Sequence, residues 1–145
     1  MGGDELASGT VKVKNQEIEN KMKKALAKGE FYVCYQPKYN TQNKKIVGAE
    51  ALVRWKMNGE NVIPPSDFIP LFESNGFIKD LDKFVFEQVC KDVSTWLDKG
   101  LKVKPVSVNL SQMQLYNSNF IRDYAGILER YDLGSEYVQL ELTET

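Results

Sequence analysis

The 145-residue sequence contains no histidine. That absence removes imidazole as a general base, imidazole as a zinc ligand, and every serine or cysteine triad that depends on His. Cysteine is nearly as scarce, with Cys34 and Cys90 alone; their spacing matches no metal-binding pattern, and both are expected to be reduced core thiols. Neither sign of charge is in excess. The 19 basic and 20 acidic residues leave a formal net charge of -1, which gives no general field to draw in a nucleic acid polymer or an anionic membrane. No apolar run approaches the ~20 residues of a membrane helix, and the opening "MGGDELASGT" lacks the apolar stretch of a signal peptide. A cytoplasmic location is expected, free or as the cytoplasmic part of a larger sensory protein, with no membrane contact from this segment.

What is present is a globular composition, 42% hydrophobic and 11% aromatic, in a chain of one-domain length. Residues 1–15 are polar and read as a flexible or vector-derived start. From Gln16 to Lys28 the apolar residues Ile18, Met22, Ala25 and Leu26 recur at helical spacing, with Gly29 as a stop. "FYVCYQPKY" (31–39) and "KIVGAEALVRW" (45–55) read as two strands. The link "NTQNK" is too short for a parallel crossover, so the pair is expected to be antiparallel. After the turn "NGENVIPP", Ser66 is expected to cap a short helix ending at Asn75-Gly76. A longer helix is predicted from about Lys79 to Asp98, with Leu81, Phe84, Val85, Gln88, Val89, Val93 and Trp96 on its inner face. "PVSVNLS" (105–111) is a third strand, "NFIRDYAGILERY" (119–131) a helix, and "YVQLELTE" (137–144) a fourth strand. This alternation predicts a parallel α/β sheet with right-handed crossovers.

Side chains alternate along a strand, so each strand can be sorted into two faces. The second strand divides into Val47, Ala49, Ala51, Val53 and Trp55 against Gly48, Glu50, Leu52 and Arg54. The third divides into Val106, Val108 and Leu110 against Ser107, Asn109 and Ser111, and the fourth into Val138, Leu140 and Leu142 against Gln139, Glu141 and Thr143. On the first strand, Tyr32, Cys34 and Gln36 fall on the mixed face. An open sheet with helices on both sides would be apolar on both faces. One apolar and one polar face is what a barrel with a site in its mouth requires. Glu50, Asn109 and Glu141 then offer carboxylate, amide and carboxylate oxygens, a hard ligand set suited to Mg²⁺ or Mn²⁺. On spacing alone a second reading stands beside it: Glu50 pairs with Arg54 in a structural salt bridge, and Asn109 bonds a backbone group.

The segments "YQPKYN", "IVGAEALVRW", "PPSDFIPLFESNGFI", "VSVNLSQMQL" and "LELTET", in this order, closely resemble the EAL family of cyclic di-GMP phosphodiesterases, named for the Glu-Ala-Leu found here at 50–52. The resemblance runs from about Gln16 to Thr145. It implies a TIM-type barrel with an antiparallel first strand, of which the first half, about four strands and their helices, is present. It implies a two-metal hydrolysis of cyclic di-GMP to linear pGpG in bacterial signalling, with Mg²⁺ or Mn²⁺ as cofactor. By motif match Glu50, Asn109 and Glu141 would be metal ligands, Arg54 would hold a substrate phosphate, Gln36 would lie in the site, and Glu144 would support the ligands. The family's paired aspartates, its catalytic lysine and a later glutamate would follow Thr145, so this chain alone is expected to be inactive. The alternative is a module that binds cyclic di-GMP without cutting it, or a protein-interaction piece. A half-barrel edge is also expected to pair with a second copy. "GGDE" at 2–5 is similar to the diguanylate cyclase signature, but that motif sits on a hairpin inside a domain, and the match is read as coincidence.

Overall fold

The computed structural model describes residues 16–57 and 61–143. Glu144 and the segment 1–15, on which expectations were placed above, lie outside the described residues. The chain runs through a helix over 16–28 (α1), strands β1 (Phe31–Tyr39), β2 (Ile46–Met57) and β3 (Asn61–Ile63), helices α2 (Pro65–Asn75) and α3 (Ile78–Asp98), strand β4 (Val106–Ser111), a 3-10 turn (Gln112–Tyr116), helix α4 (Phe120–Arg130), a second 3-10 turn (Ser135–Tyr137) and strand β5 (Val138–Thr143). The sheet order is β1-β2-β4-β5, with β3 hydrogen-bonded to the carboxyl end of β2. β1 is antiparallel to β2, while β2, β4 and β5 run parallel. This is a partial α/β barrel, as the alternation predicts.

The β1–β2 hairpin turns on Asn40. Its side-chain Oδ1 accepts the Gln42 N–H at 2.8 Å, and its backbone exchanges bonds with Lys44 and Lys45. Short polar residues bonding their own turn are what make such links hold.

Two cores lie against the sheet. The first, aromatic core joins Ile18, Met22 and Ala25 of α1 to Phe31, Trp55, Phe68, Phe72 and Phe77. Trp55 is fully buried and donates its indole N–H to Glu30 Oε1 at 3.1 Å. Burial of each of these rings contributes about 1.5–3 kcal/mol. The second core packs Val85, Val89 and Val93 of α3 and Tyr124 and Ile127 of α4 onto Ala51, Val106, Val108 and Leu110.

Several expectations need correction. Ser66 does not cap α2: the helix starts at Pro65 with Pro64 before it and no side-chain capping bond, because Pro suits the first helical position and moves the start forward. β3 falls where a turn was expected. The buried face of α3 includes Asp82, Phe86 and Cys90 besides the expected apolar stripe, since α4 packs on its flank. Cys34 is exposed; it shares the polar side of β1, and only Cys90 is a core thiol. On β5, Val138 is buried but Leu140 and Leu142 are 41% and 50% exposed, as no described element covers them.

Candidate functional site

Pairing register fixes which side chains share the polar face. Gln36 stands opposite Glu50, Glu50 beside Ser107, and Asn109 beside Glu141. Arg54 lies two residues beyond Leu52 and four beyond Glu50, on the same side, opposite Tyr32. The alternation therefore puts Gln36, Glu50, Arg54, Asn109 and Glu141 on one surface.

Contacts are more selective than the shared face. Asn109 donates its Nδ2 to Glu50 Oε1 at 3.2 Å. Arg54 donates from Nη1 to the Val53 carbonyl at 3.0 Å. The alternative in which Glu50 pairs with Arg54 and Asn109 serves only backbone is thus not what the geometry shows for Asn109, and no Glu50–Arg54 bridge occurs among the described residues. Glu141 meets neither Glu50 nor Asn109 by hydrogen bond. Its Oε1 accepts instead from Lys38 Nζ at 3.2 Å, and the same ammonium donates to Ser107 Oγ at 2.7 Å. Lys38 was missed in the sequence reading. Its signal was available, because it sits two residues after Gln36 and shares its parity.

The Lys38–Glu141 bridge joins the first strand of the sheet to the last. Three strand spacings amount to roughly 14 Å in a flat sheet, and direct contact fits a sheet curling with its polar face inward. Gly48, the register partner of Lys38, has no side chain to block the way. A Cβ there would come within 2.7 Å of the Pro105 carbonyl oxygen, so the close approach of β2 to the start of β4 requires glycine.

A cavity of about 180 Å³ opens at the carboxyl ends of β2 and β4, lined on its polar side by Arg54, Asn109, Ser111, Asp82 and Glu73. Glu50 and Glu141 lie outside that lining: Glu50, beside Ser107, stands nearer the amino ends of the strands, and Glu141 is level with Asn109. Asp82, reaching from α3, is 8% exposed and accepts the Ser111 backbone N–H at 2.9 Å. Burial pushes its carboxyl up to about 6, against the opposing pull of the hydrogen bonds from Ser111 and Gln114. Gln114, almost fully buried, donates to the Lys79 carbonyl at 3.0 Å. Asp82 and Gln114 thereby pin the end of β4 to α3 just past Asn109.

The donor set can be judged against a metal. Glu50, Asn109 and Glu141 offer only oxygens of the hard type and come from three adjacent strands, which suits Mg²⁺ or Mn²⁺ better than zinc. Among the described residues no group of three or more acidic, Cys or His side chains could hold a metal by itself. A hard cation bound there would draw on two carboxylates and one amide, three of the six oxygens that Mg²⁺ takes. Among the described residues no helix is long and apolar enough to cross a membrane.

Known proteins are similar to this chain in sequence and fold. An uncharacterized protein of Mycobacterium tuberculosis, Rv1357c, is 37% identical over 128 residues, covering 88% of this chain and 42% of that protein. The cyclic di-GMP phosphodiesterase PdeR of Escherichia coli is 35% identical over 130 residues, covering 88% of this chain and 19% of that protein. Among solved structures, a complex of the PaMucR phosphodiesterase with c-di-GMP superposes with a TM-score of 0.81 at 30% identity, covering 89% of this chain and 52% of that one. The chain thus spans less than half the length of these curated relatives. The EAL domain model matches residues 19–145, which takes in all five strands and every polar residue named above, and by that match the chain belongs to the EAL domain family.

Proposed function

We propose that this chain supplies part of the metal-binding and phosphate-binding wall of a phosphodiesterase that opens cyclic di-GMP to linear pGpG. The observation that carries the reading is the gathering of Glu50, Asn109 and Glu141, with Gln36 and Arg54, on one face of a curling mixed sheet in a family whose members include a cyclic di-GMP phosphodiesterase. Glu50, Asn109 and Glu141 would hold Mg²⁺ or Mn²⁺, which when bound supplies water activation and offsets phosphoryl charge. Arg54 sits on the lining of the cavity with part of its guanidinium anchored on Val53. Its remaining N–H donors suit a phosphate, which a guanidinium can grip at two oxygens. Gln36, the partner of Glu50 across the hairpin, would orient polar groups of the dinucleotide beside the metal.

Acting alone, the chain is proposed to hydrolyse cyclic di-GMP negligibly, because three oxygens make an incomplete shell and catalytic groups that work as a unit are strongly non-additive. The reading extends to a second copy meeting the outer edge of β5, where Leu140 and Leu142 are exposed and β4 is the only described neighbour.

Calorimetric titration of cyclic di-GMP with Mn²⁺ present tests the reading. Binding to the wild type, with at least tenfold weaker binding by Glu50→Gln and by Arg54→Ala, is expected. Binding untouched by either substitution would sink it. Chromatographic detection of pGpG separates cutting from binding, and light scattering at micromolar concentration checks self-association.

A further inference from the structure

Lys38 is a charged residue of the polar face that the proposed chemistry leaves without a task, and it reaches a candidate ligand. The ammonium is anchored on Ser107 Oγ at 2.7 Å, and Ser107 is 3% exposed in the middle of the sheet. From that anchor it reaches Glu141 Oε1 at 3.2 Å. The two candidate ligand carboxylates are therefore held differently. Glu50 accepts from the neutral amide of Asn109, which is itself in the ligand set. Glu141 accepts from a cation that is not in the set.

We propose that Lys38 and a divalent cation compete for the Glu141 carboxylate, so that Lys38 is a positioning residue setting how tightly the Glu50, Asn109 and Glu141 group takes metal. This inference rests on the reading that these three residues hold a metal. The competition has two parts. Glu141 must give up its contact with Lys38 to turn its oxygens to the metal. Lys38 then stays close through its Ser107 anchor, and its charge opposes the incoming cation. Both partners are partly open to water, with side-chain exposures of 39% and 47%, so the effect is modest, as for other solvent-screened pairs. Removing the charge should tighten metal binding roughly two- to fivefold, less at high salt because exposed charges are screened.

The test uses Mn²⁺ binding to the purified chain, read by calorimetry or by the loss of the free-ion paramagnetic resonance signal. Wild type is compared with Lys38→Met, Lys38→Gln, Lys38→Arg and Glu50→Gln. Lys38→Gln keeps a neutral donor for Ser107 and serves where Lys38→Met does not fold by circular dichroism. The expected result is about two- to fivefold tighter Mn²⁺ binding by the neutral variants, a change under about 1.5-fold for Lys38→Arg, and loss of binding in Glu50→Gln. A purely structural lysine would not give charge-dependent affinity rescued by Arg. Unchanged or weaker binding by the neutral variants, with binding still lost in Glu50→Gln, overturns the role of Lys38 and leaves the metal site standing. No Mn²⁺ binding by any form, or equal binding by Glu50→Gln, overturns the metal site and this proposal with it.

Discussion

Replacing Asp82 by asparagine isolates what a buried carboxylate costs this fold. The side chain is 8% exposed, and desolvation raises its carboxyl to about 6 in spite of the hydrogen bonds from Ser111 and Gln114, whereas an unfolded Asp titrates near 3.9. A folded value above the unfolded one means that native protein holds the proton where unfolded chain releases it. The stabilising contribution is complete below about pH 4, falls as pH rises toward 6, and is flat above. About two pKa units at 1.36 kcal/mol each give at most about 3 kcal/mol. The asparagine amide copies the protonated acid and keeps an oxygen for the Ser111 N–H. Asp82→Asn should therefore match wild type near pH 4 and exceed it by up to about 3 kcal/mol at pH 7. At a typical urea slope of about 2 kcal/mol per molar, the midpoint moves up by roughly 1.5 M. Urea unfolding followed by tryptophan fluorescence at pH 4, 5, 6 and 7 supplies the curve. A difference that does not vary with pH, or a variant less stable than wild type at pH 7, would show that the Ser111 and Gln114 bonds outweigh desolvation and refute the reasoning.

The Tyr124 hydroxyl is buried with no hydrogen-bond partner among the described residues; Tyr124→Phe should leave stability unchanged or raise it by about 1 kcal/mol, and a larger loss in urea unfolding would reveal a hidden partner. Gly48→Ala places a methyl within 2.7 Å of the Pro105 carbonyl oxygen, so a cost of about 1–3 kcal/mol is expected from overpacking, and an unchanged melting temperature would contradict the close approach. Cys34 is exposed, while Cys90 is fully buried with its thiol pushed up to about 12. A thiol reagent at pH 8 should label Cys34 promptly and Cys90 only after denaturation, and equal native labelling rates would contradict the placement.

The strands and the face they show to the site were legible because both depend on a period of two. Glu50, Asn109 and Glu141 share the polar face in the structure as the alternation in "VGAEALVRW", "VSVNLS" and "VQLELT" places them. Helix α3 was legible from its apolar stripe. What alternation does not encode is the partner of each polar side chain. Lys38 and Glu141 are 103 residues apart, and their contact depends on sheet order and curl. Asp82 was hidden because a polar residue on a helix reads as solvent-facing, and its partner Ser111 lies on a strand 29 residues away. The three-residue strand β3 was too short to show a period. Cys34 was misplaced by residue type, since cysteine is usually buried, although its parity with Gln36 already set it on the polar face.

The two hydrophobic clusters also divide the chain in time. The buried members of the aromatic core lie between Ile18 and Leu81, with Met113 packed against them from later in the chain, whereas those of the second core reach from Ala51 to Val138. A chain emerging from the ribosome amino end first can bury Phe31, Trp55, Phe68 and Phe72 while β4 and β5 are still to be made, and local contacts of this kind form early. The hairpin bearing Gln36, Lys38, Glu50 and Arg54 is then a finished template on which the later strands dock. Two of the three oxygens proposed for the cation arrive last, with Asn109 and Glu141, so the pocket for the ion is assembled only when the parallel sheet is.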